Sequence, residues 1–227
     1  MNDLNKNLEN VNARILRACQ SAQRNPGDVR LLAVSKRQSV AKIRSLYGAG
    51  QLAFGENYVQ EAISKQEQLG DLDIEWHFIG PIQSNKTREL ARHFHWVHSV
   101  DREKILRRLS DSRSPDLPPL NICLQVNIDR EVQKSGALSE EIPDLAQLAF
   151  SLTGIRLRGL MAIPRATKDT DGTLGSFRAM YALYEQLKDG GLPIDTLSMG
   201  MSSDIEQAIQ AGSTLVRVGT ALFGPRY

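Results

Sequence analysis

Eight short apolar runs, with seven segments of helical periodicity between them, set the strongest limit on how these 227 residues can fold. The runs lie at 29–36, 51–57, 74–80, 96–100, 120–128, 155–163, 196–200 and 214–220. The first, Val29-Arg30-Leu31-Leu32-Ala33-Val34-Ser35-Lys36, is nearly continuous in apolar residues before it turns polar, the pattern of a strand covered on both faces in a parallel sheet. Helical patterns follow at 40–47, 58–68, 85–92, 102–109, 140–152, 174–187 and 204–211. Ahead of them all, Leu4, Leu8, Val11, Ile15 and Ala18 recur at spacings of three and four, predicting an extra amphipathic helix over 3–24 that Asn25-Pro26-Gly27 ends. Alternating strands and helices make a parallel α/β architecture. Eight such units predict a single (β/α)8 TIM barrel spanning 1–227, near the lower end of that fold's size range. A doubly wound open sheet is the competitor, but it needs neither eight strands nor polar residues at so many strand ends. The Pro-rich stretch 112–119 (SRSPDLPP) is read as a surface loop, because strand-like sequence resumes at Leu120.

Composition removes several function classes. Twenty-eight Lys+Arg against 26 Asp+Glu leave a net charge of +2, which gives nucleic acid no electrostatic footprint to bind. With 41% hydrophobic and 24% charged residues the chain is neither disordered nor fibrous. The longest uncharged apolar runs fall far short of the roughly 20 residues that span a bilayer, so no membrane association is expected. The opening MNDLNKNLENVNARI has no apolar run with a small-residue cleavage site, and the expected location is cytoplasmic. Cys19 and Cys123 stand 104 positions apart without a CxxC or a neighbouring histidine, and are expected to be reduced and buried, with neither disulfide nor metal. His93, His95 and His98 around Trp96 lack metal-ligand spacing and read as surface and strand-edge residues. Lys104, Arg107 and Arg108 interleave with Ile105, Leu106 and Leu109 as the solvated face of a helix.

In such a barrel the chemistry sits at the C-terminal ends of the strands. Polar residues found there are Ser35 and Lys36, Glu56 and Asn57, His77, Asn127, Ser198, Arg217 and Thr220, with Met161 beside them. Lys36 follows five residues of apolar strand, where desolvation would favour the neutral amine and imine formation with a carbonyl compound; it can equally be the first solvated residue of a loop. Ser198-Met199-Gly200-Met201-Ser202-Ser203-Asp204 leads from the seventh strand into a helix, with Ser202 or Ser203 placed to cap it and backbone N–H groups placed to meet an anion. Arg217-Val218-Gly219-Thr220 ends the eighth strand, and the loops after strands seven and eight are the usual phosphate site of the fold. If Val216 and Val218 face the helices, Arg217 faces the barrel interior, where a guanidinium needs a partner; the opposite assignment makes it an ordinary interlayer ion pair. His77, between Trp76 and Phe78, is open to the same two readings. No GxGxxG, GxxxxGK[ST], HExxH or GxSxG occurs.

The segments Leu32-Ala33-Val34-Ser35-Lys36, Phe54-Gly55-Glu56-Asn57-Tyr58-Val59-Gln60-Glu61, Trp76-His77-Phe78-Ile79-Gly80, Gln83-Ser84-Asn85-Lys86, Lys134-Ser135-Gly136, Gly159-Leu160-Met161, Leu197-Ser198-Met199-Gly200-Met201-Ser202 and 216–224 together resemble the YggS-type family of pyridoxal-phosphate homeostasis proteins, in order from about residue 3 to the C-terminus. The resemblance implies a barrel of the alanine-racemase N-terminal type that holds pyridoxal 5′-phosphate as an imine on Lys36. It also implies that Ser202, Gly219 and Thr220 hold the phosphate, that Arg217 faces the pyridine nitrogen, and that Asn57, His77, Met161 and Ser198 line the ring. Where the family often shows a second lysine two positions after the first, this chain has Gln38. An Arg⁺ at the ring nitrogen disfavours its protonation and mutes the cofactor as an electron sink. Racemases and decarboxylases of this fold add a second domain that closes the site through a dimer, and eight βα units consume this chain. The expectation is therefore a monomeric carrier that buffers the cofactor and passes it to dependent apoenzymes without strong catalysis. The alternatives are an amino-acid racemase or decarboxylase using the same imine, with Tyr58 or His77 as proton-transfer group, and an interaction module working through the 104–108 face.

Overall fold

Each apolar run becomes a strand. In the structure, a computed structural model describing residues 2–165 and 170–224, β1 (Arg30–Val34), β2 (Ala53–Glu56), β3 (Glu75–Phe78), β4 (Trp96–Val100), β5 (Leu120–Val126), β6 (Ile155–Ala162), β7 (Thr196–Ser198) and β8 (Leu215–Val218) run parallel in sequence order. β8 pairs back onto β1, with Leu32 opposite Arg217, and closes the barrel. The alternation thus folds into the expected (β/α)8 barrel, and the open sheet is excluded. Several strands are shorter than the apolar runs at their C-terminal ends. Lys36, Asn57, Gly219 and Thr220 leave the ladder there and turn into the βα loops that carry function in this architecture.

Around the strands lie α1 (Asn2–Ser21), α2 (Val40–Gly48), α3 (Val59–Gln68), α4 (Thr87–His93), α5 (Glu103–Ser112), α6 (Ile142–Ser151), α7 (Thr170–Asp189), α8 (Ile205–Gln210) and α9 (Thr220–Phe223). Their apolar stripes and the outward strand residues form the main core: on α5, Ile105, Leu106 and Leu109 are buried, while Lys104, Arg107 and Arg108 face solvent. Fully burying one such side chain contributes about 1.5–3 kcal/mol. Val216 and Val218 join this outer core and leave Arg217 pointing into the barrel.

The eighth unit ends in a single helical turn, α9, which the pattern of apolar residues does not announce. The N-terminal helix completes the wall instead. α1 packs against α8, α9 and α2, its Asn7 amide donates to Leu222 O at 2.9 Å, and Arg24 just beyond it donates to Ile209 O and Ser213 O at 2.8 and 2.7 Å. Leu222 O and Ile209 O are carbonyls at the ends of α9 and α8, which have no further turn to satisfy them, and Ser213 O lies in the loop that follows α8. No helix among the described residues is long and apolar enough to cross a membrane, and none of their His, Cys, Asp and Glu side chains gather as a metal set. Cys19 and Cys123 are buried free thiols.

Candidate functional site

At the C-terminal mouth of the barrel a cavity of about 530 Å³ is lined by Lys36, Asn57, Arg217, Gly219 and Thr220, together with Ser202 and Ser203, over an apolar wall of Val34, Ile79, Ile163 and Met201. Lys36 enters it from a tight turn. Gln38 N–H donates to Ser35 O at 3.0 Å, so Lys36 is the first corner residue and Arg37 the second. Arg37 has φ +59°, a left-handed conformation that costs a non-glycine residue about 1 kcal/mol and persists only where neighbours hold it. The neighbours are charged. Lys65, projecting from α3, donates to Ser35 O, to Glu56 Oε1 and to Glu61 Oε1, each at 2.7 Å. Glu61 Oε1 in turn accepts Arg37 N–H at 2.5 Å, and Ser35 Oγ donates to Glu56 Oε1 at 2.6 Å. Glu56 is fully buried; desolvation raises its pKa, and the Lys65 ammonium pulls against that. A buried ion pair therefore fixes both ends of the turn that presents Lys36.

The opposite wall suits an anion. Gly200, at φ +95°, lies two residues beyond β7, and a Cβ there would lie 2.5 Å from the Cβ of Ala208; only glycine lets α8 come down on this loop. The helix cap differs from the expectation. Neither Ser202 nor Ser203 caps α8: Asp204 occupies that place and spends its carboxylate on Met201 N–H at 2.5 Å, while Ser202 Oγ accepts Ala221 N–H at 3.4 Å in the first turn of α9. The phosphate-type corner is thus built where the two loops meet, with Gly219 as N-cap of α9 and Thr220 as its first residue. Arg14 from α1 braces it, donating to Ser202 O at 3.0 Å and gripping Glu206 of α8 with two bonds of 2.8–2.9 Å.

Arg217 forms the floor. Nη1 donates to Ser198 O and Oγ at 2.7 and 2.9 Å and Nη2 to Ala162 O at 2.8 Å. The guanidinium is buried, and burial lowers its pKa to about 10 against the opposing charge of Asp204. Its hydrogen-bond partners are neutral oxygens, although a buried charge normally finds a carboxylate or ligand. Asn57 Oδ1 on the cavity wall is buried with no hydrogen-bond partner, and Gly80 backs that residue so closely that a Cβ would stand 2.1 Å from Asn57 O.

Of the residues singled out in the sequence, Lys36, Asn57, Ser202, Arg217, Gly219 and Thr220 share this cavity. His77, Met161 and Ser198 lie below it, fully buried: Met161 packs with Trp96 and Cys123, and Ser198 and His77 join a hydrogen-bonded row across the barrel. His98 is not the strand-edge residue expected but a buried member of that row. Trp96 and His98 share one face of β4 and Val97 the other, but all five residues of the strand are buried, so the alternation carries no signal of which face looks inward. Lys65, Glu61 and Arg14 were missed because an i,i+4 Lys–Glu pair and a helix arginine look like ordinary surface charge. A larger groove of about 750 Å³ at the other end of the barrel, between α7 and α8, mixes Arg24, Arg178 and Lys188 with Asp28, Glu185 and Asp195, and none of the singled-out residues enters it.

Residues 7–227 match the family model of the alanine racemase N-terminal domain. The chain is 54% identical over 226 residues to the pyridoxal phosphate homeostasis protein of Pseudomonas aeruginosa, covering 100% of this chain and 97% of that one. Among solved structures it resembles PipY of Synechococcus elongatus with PLP bound, at 39% identity and TM-score 0.79, over 94% of this chain and 100% of PipY. An alanine racemase of Clostridium difficile, 13% identical with TM-score 0.78, shares the fold alone; all of this chain corresponds to 57% of the racemase.

Proposed function

Because this chain belongs to the alanine racemase N-terminal domain family and, within it, to the pyridoxal phosphate homeostasis proteins, we propose that it binds pyridoxal 5′-phosphate in the cavity at the barrel mouth, holds it as an imine on Lys36, and serves as a reversible intracellular carrier for dependent apoenzymes. One observation carries the reading: an amine, a hydroxyl-and-backbone anion corner and a buried guanidinium bonded to neutral oxygens line a single cavity of about 530 Å³. The residues fit the cofactor's three handles. Lys36 would meet the aldehyde, Ser202, Gly219 and Thr220 the phosphate, and Arg217 the ring nitrogen, an acceptor for a guanidinium N–H; Asn57, whose Oδ1 has no partner, would reach the ring with its amide. When bound, the cofactor supplies a carbonyl that a lysine amine captures reversibly with loss of one water.

Arg217 also speaks for holding over turnover. A permanent cation beside the ring nitrogen disfavours its protonation and so weakens electron withdrawal. Neither side chain expected to transfer protons lines the cavity: His77 is fully buried beneath it, and Tyr58 is largely exposed outside, under the Arg37 guanidinium at 5.8 Å. His77 is accordingly read as a support of the floor and not as a ring contact.

Purified protein loaded with the cofactor should absorb near 420 nm, roughly where the cofactor's imine is expected. Lys36→Ala should abolish that band, and borohydride trapping followed by mass spectrometry should place the adduct on Lys36. A trapped adduct on another lysine, or a Lys36→Ala spectrum like that of the wild type, would defeat the assignment. Turnover of any D- or L-amino acid above about 1 s⁻¹, within the ordinary enzyme range, would favour the racemase or decarboxylase reading instead.

A further inference from the structure

Beneath Arg217 a single file of hydrogen bonds crosses the barrel interior to its opposite mouth. Arg217 Nη1 donates to Ser198 Oγ at 2.9 Å, and Ser198 Oγ meets His98 Nδ1 at 2.9 Å. His98 Nε2 meets His77 Nδ1 at 2.8 Å, and His77 Nε2 meets Glu75 Oε1 at 2.5 Å. Glu75, at the N-terminal mouth, also takes Arg30 Nη2–H at 2.8 Å. These residues come from β8, β7, β4 and β3, so the row runs from one side of the barrel to the other through a space that branched aliphatic side chains usually fill.

The row admits one consistent arrangement of protons. The Glu75 carboxylate accepts only, so His77 carries its proton on Nε2 and accepts at Nδ1. His98 must then donate from Nε2 and accept at Nδ1, and the Ser198 hydroxyl donates to it while receiving from Arg217. Every bond points from Arg217 toward Glu75. The His77 ring is stacked on Trp96 at 5.2 Å and 7°, with Arg158 4.6 Å from the Trp96 centroid, while the His98 ring is tilted against both, at 46° to His77 and 39° to Trp96. Burial holds both histidines neutral at pH 7, His77 with a pKa of about 4. With three of its five N–H groups spent on Ser198 and Ala162, Arg217 lines the cavity in a fixed orientation with two N–H groups left over.

We propose that His98, His77 and Glu75 are positioning residues for the cofactor site: the tautomer imposed by Glu75 at the far mouth is passed through two imidazoles and Ser198 to set the direction in which the Arg217 guanidinium faces its ligand. The proposal rests on the reading of the cavity as a pyridoxal 5′-phosphate site for its consequence, though not for its geometry.

The test has two parts. Nitrogen NMR of ¹⁵N-histidine-labelled, cofactor-free protein at pH 7 should show both His77 and His98 neutral, protonated at Nε2, with Ser198→Ala moving the Nδ1 signal of His98. Either histidine protonated at Nδ1 alone, or cationic, overturns the proposal. In the loaded protein, His98→Phe should weaken cofactor binding by about tenfold, the worth of one well-placed hydrogen bond, and move ring-nitrogen protonation, read from the pH dependence of the imine band, to higher pH. His98→Gln, whose amide can both donate and accept, should restore most of both. A His98→Phe protein equal to wild type in affinity and pH profile, or a His98→Gln protein as impaired as His98→Phe, also overturns it. If His98→Phe does not fold, Ser198→Ala, which cuts the row beside Arg217 and changes little volume, gives the same readout, and a wild-type pH profile there counts against the proposal. A wild-type protein lacking the 420 nm band would sink the cofactor reading and leave the tautomer result standing on its own.

Discussion

Two corners of one cavity are held by opposite means. Lys36 sits on a turn clamped by a compact cluster of charges, Lys65 of α3 between Glu56 at the end of β2 and Glu61 of α3. Arg217 rests on a row of neutral groups inside the barrel whose only anion is at the far end. The difference follows from what each residue must do. A turn with a left-handed Arg37 needs strong local restraint, and a short ion pair with several hydrogen bonds supplies it. A guanidinium offered to a neutral ring nitrogen has to stay cationic without being claimed by an adjacent carboxylate, and carbonyl and hydroxyl partners orient it while leaving its charge for the ligand.

Removing a charge on the Lys36 side should therefore hurt far more than removing a neutral group on the Arg217 side. Lys65→Met leaves Glu56 buried with an uncompensated charge, and breaking such a pair costs about 3–5 kcal/mol. Urea denaturation at pH 7 measures it, and the loss should shrink on acidification because an isolated buried carboxylate escapes by taking up a proton. A loss below about 1 kcal/mol would place the Lys36 turn in the same class as the Arg217 floor.

The histidine row has its own signature in pH. His77, facing Glu75, Arg30, His95 and His98, has a folded pKa of about 4, and His98, between His77 and Arg217, lies well below the ordinary value of 6.5. The unfolded chain therefore binds more protons than the folded one between pH 6.5 and about 4, so stability falls as pH falls through that window, by up to about 1.4 kcal/mol per pH unit for each histidine. Glu75 continues the trend at lower pH: its own burial would raise its pKa, but His77 and Arg30 bring it to about 2, so its contribution is present above about 4.5 and lost toward 2. His98→Gln should flatten the slope between pH 6.5 and 4.5 by about one histidine's share; parallel curves for variant and wild type would remove the row from the account.

The smallest effect is expected at Arg37. Replacing it with glycine relieves the left-handed strain but frees the unfolded chain, so stability should stay within about 1 kcal/mol of wild type. The turn should remain, because Lys65 binds Ser35 O independently of residue 37. A clear loss of the imine band in that variant would show that Arg37 itself, by its contacts with Glu61 and Tyr58, holds the lysine in place.

Reading the sequence captured the strands because apolar residues on both faces of a buried parallel strand leave an unmistrusted mark, and their polar ends pointed to the mouth of the barrel. It reached Lys36, Asn57, Ser202, Arg217, Gly219 and Thr220 for that reason. It did not reach Lys65 or Arg14, whose partners Glu56, Ser35 and Glu206 are brought close only by folding. His98 was misjudged because β4 is buried on both sides, so its alternation does not say which face looks inward. α9 escaped notice because one helical turn has no periodicity to detect.

Local chemistry along the chain was enough to determine the alternation of strands and helices and the amine and glycine loops at the strand ends, since each depends on neighbours a few residues apart, whereas the barrel closes through pairing of β8 with β1. Only the tertiary structure decided which polar side chains became supports. The partners in the row from Arg217 to Glu75 are separated by as many as 100 positions, and a hydrogen bond exists only when the closed barrel has brought donor and acceptor within about 3 Å.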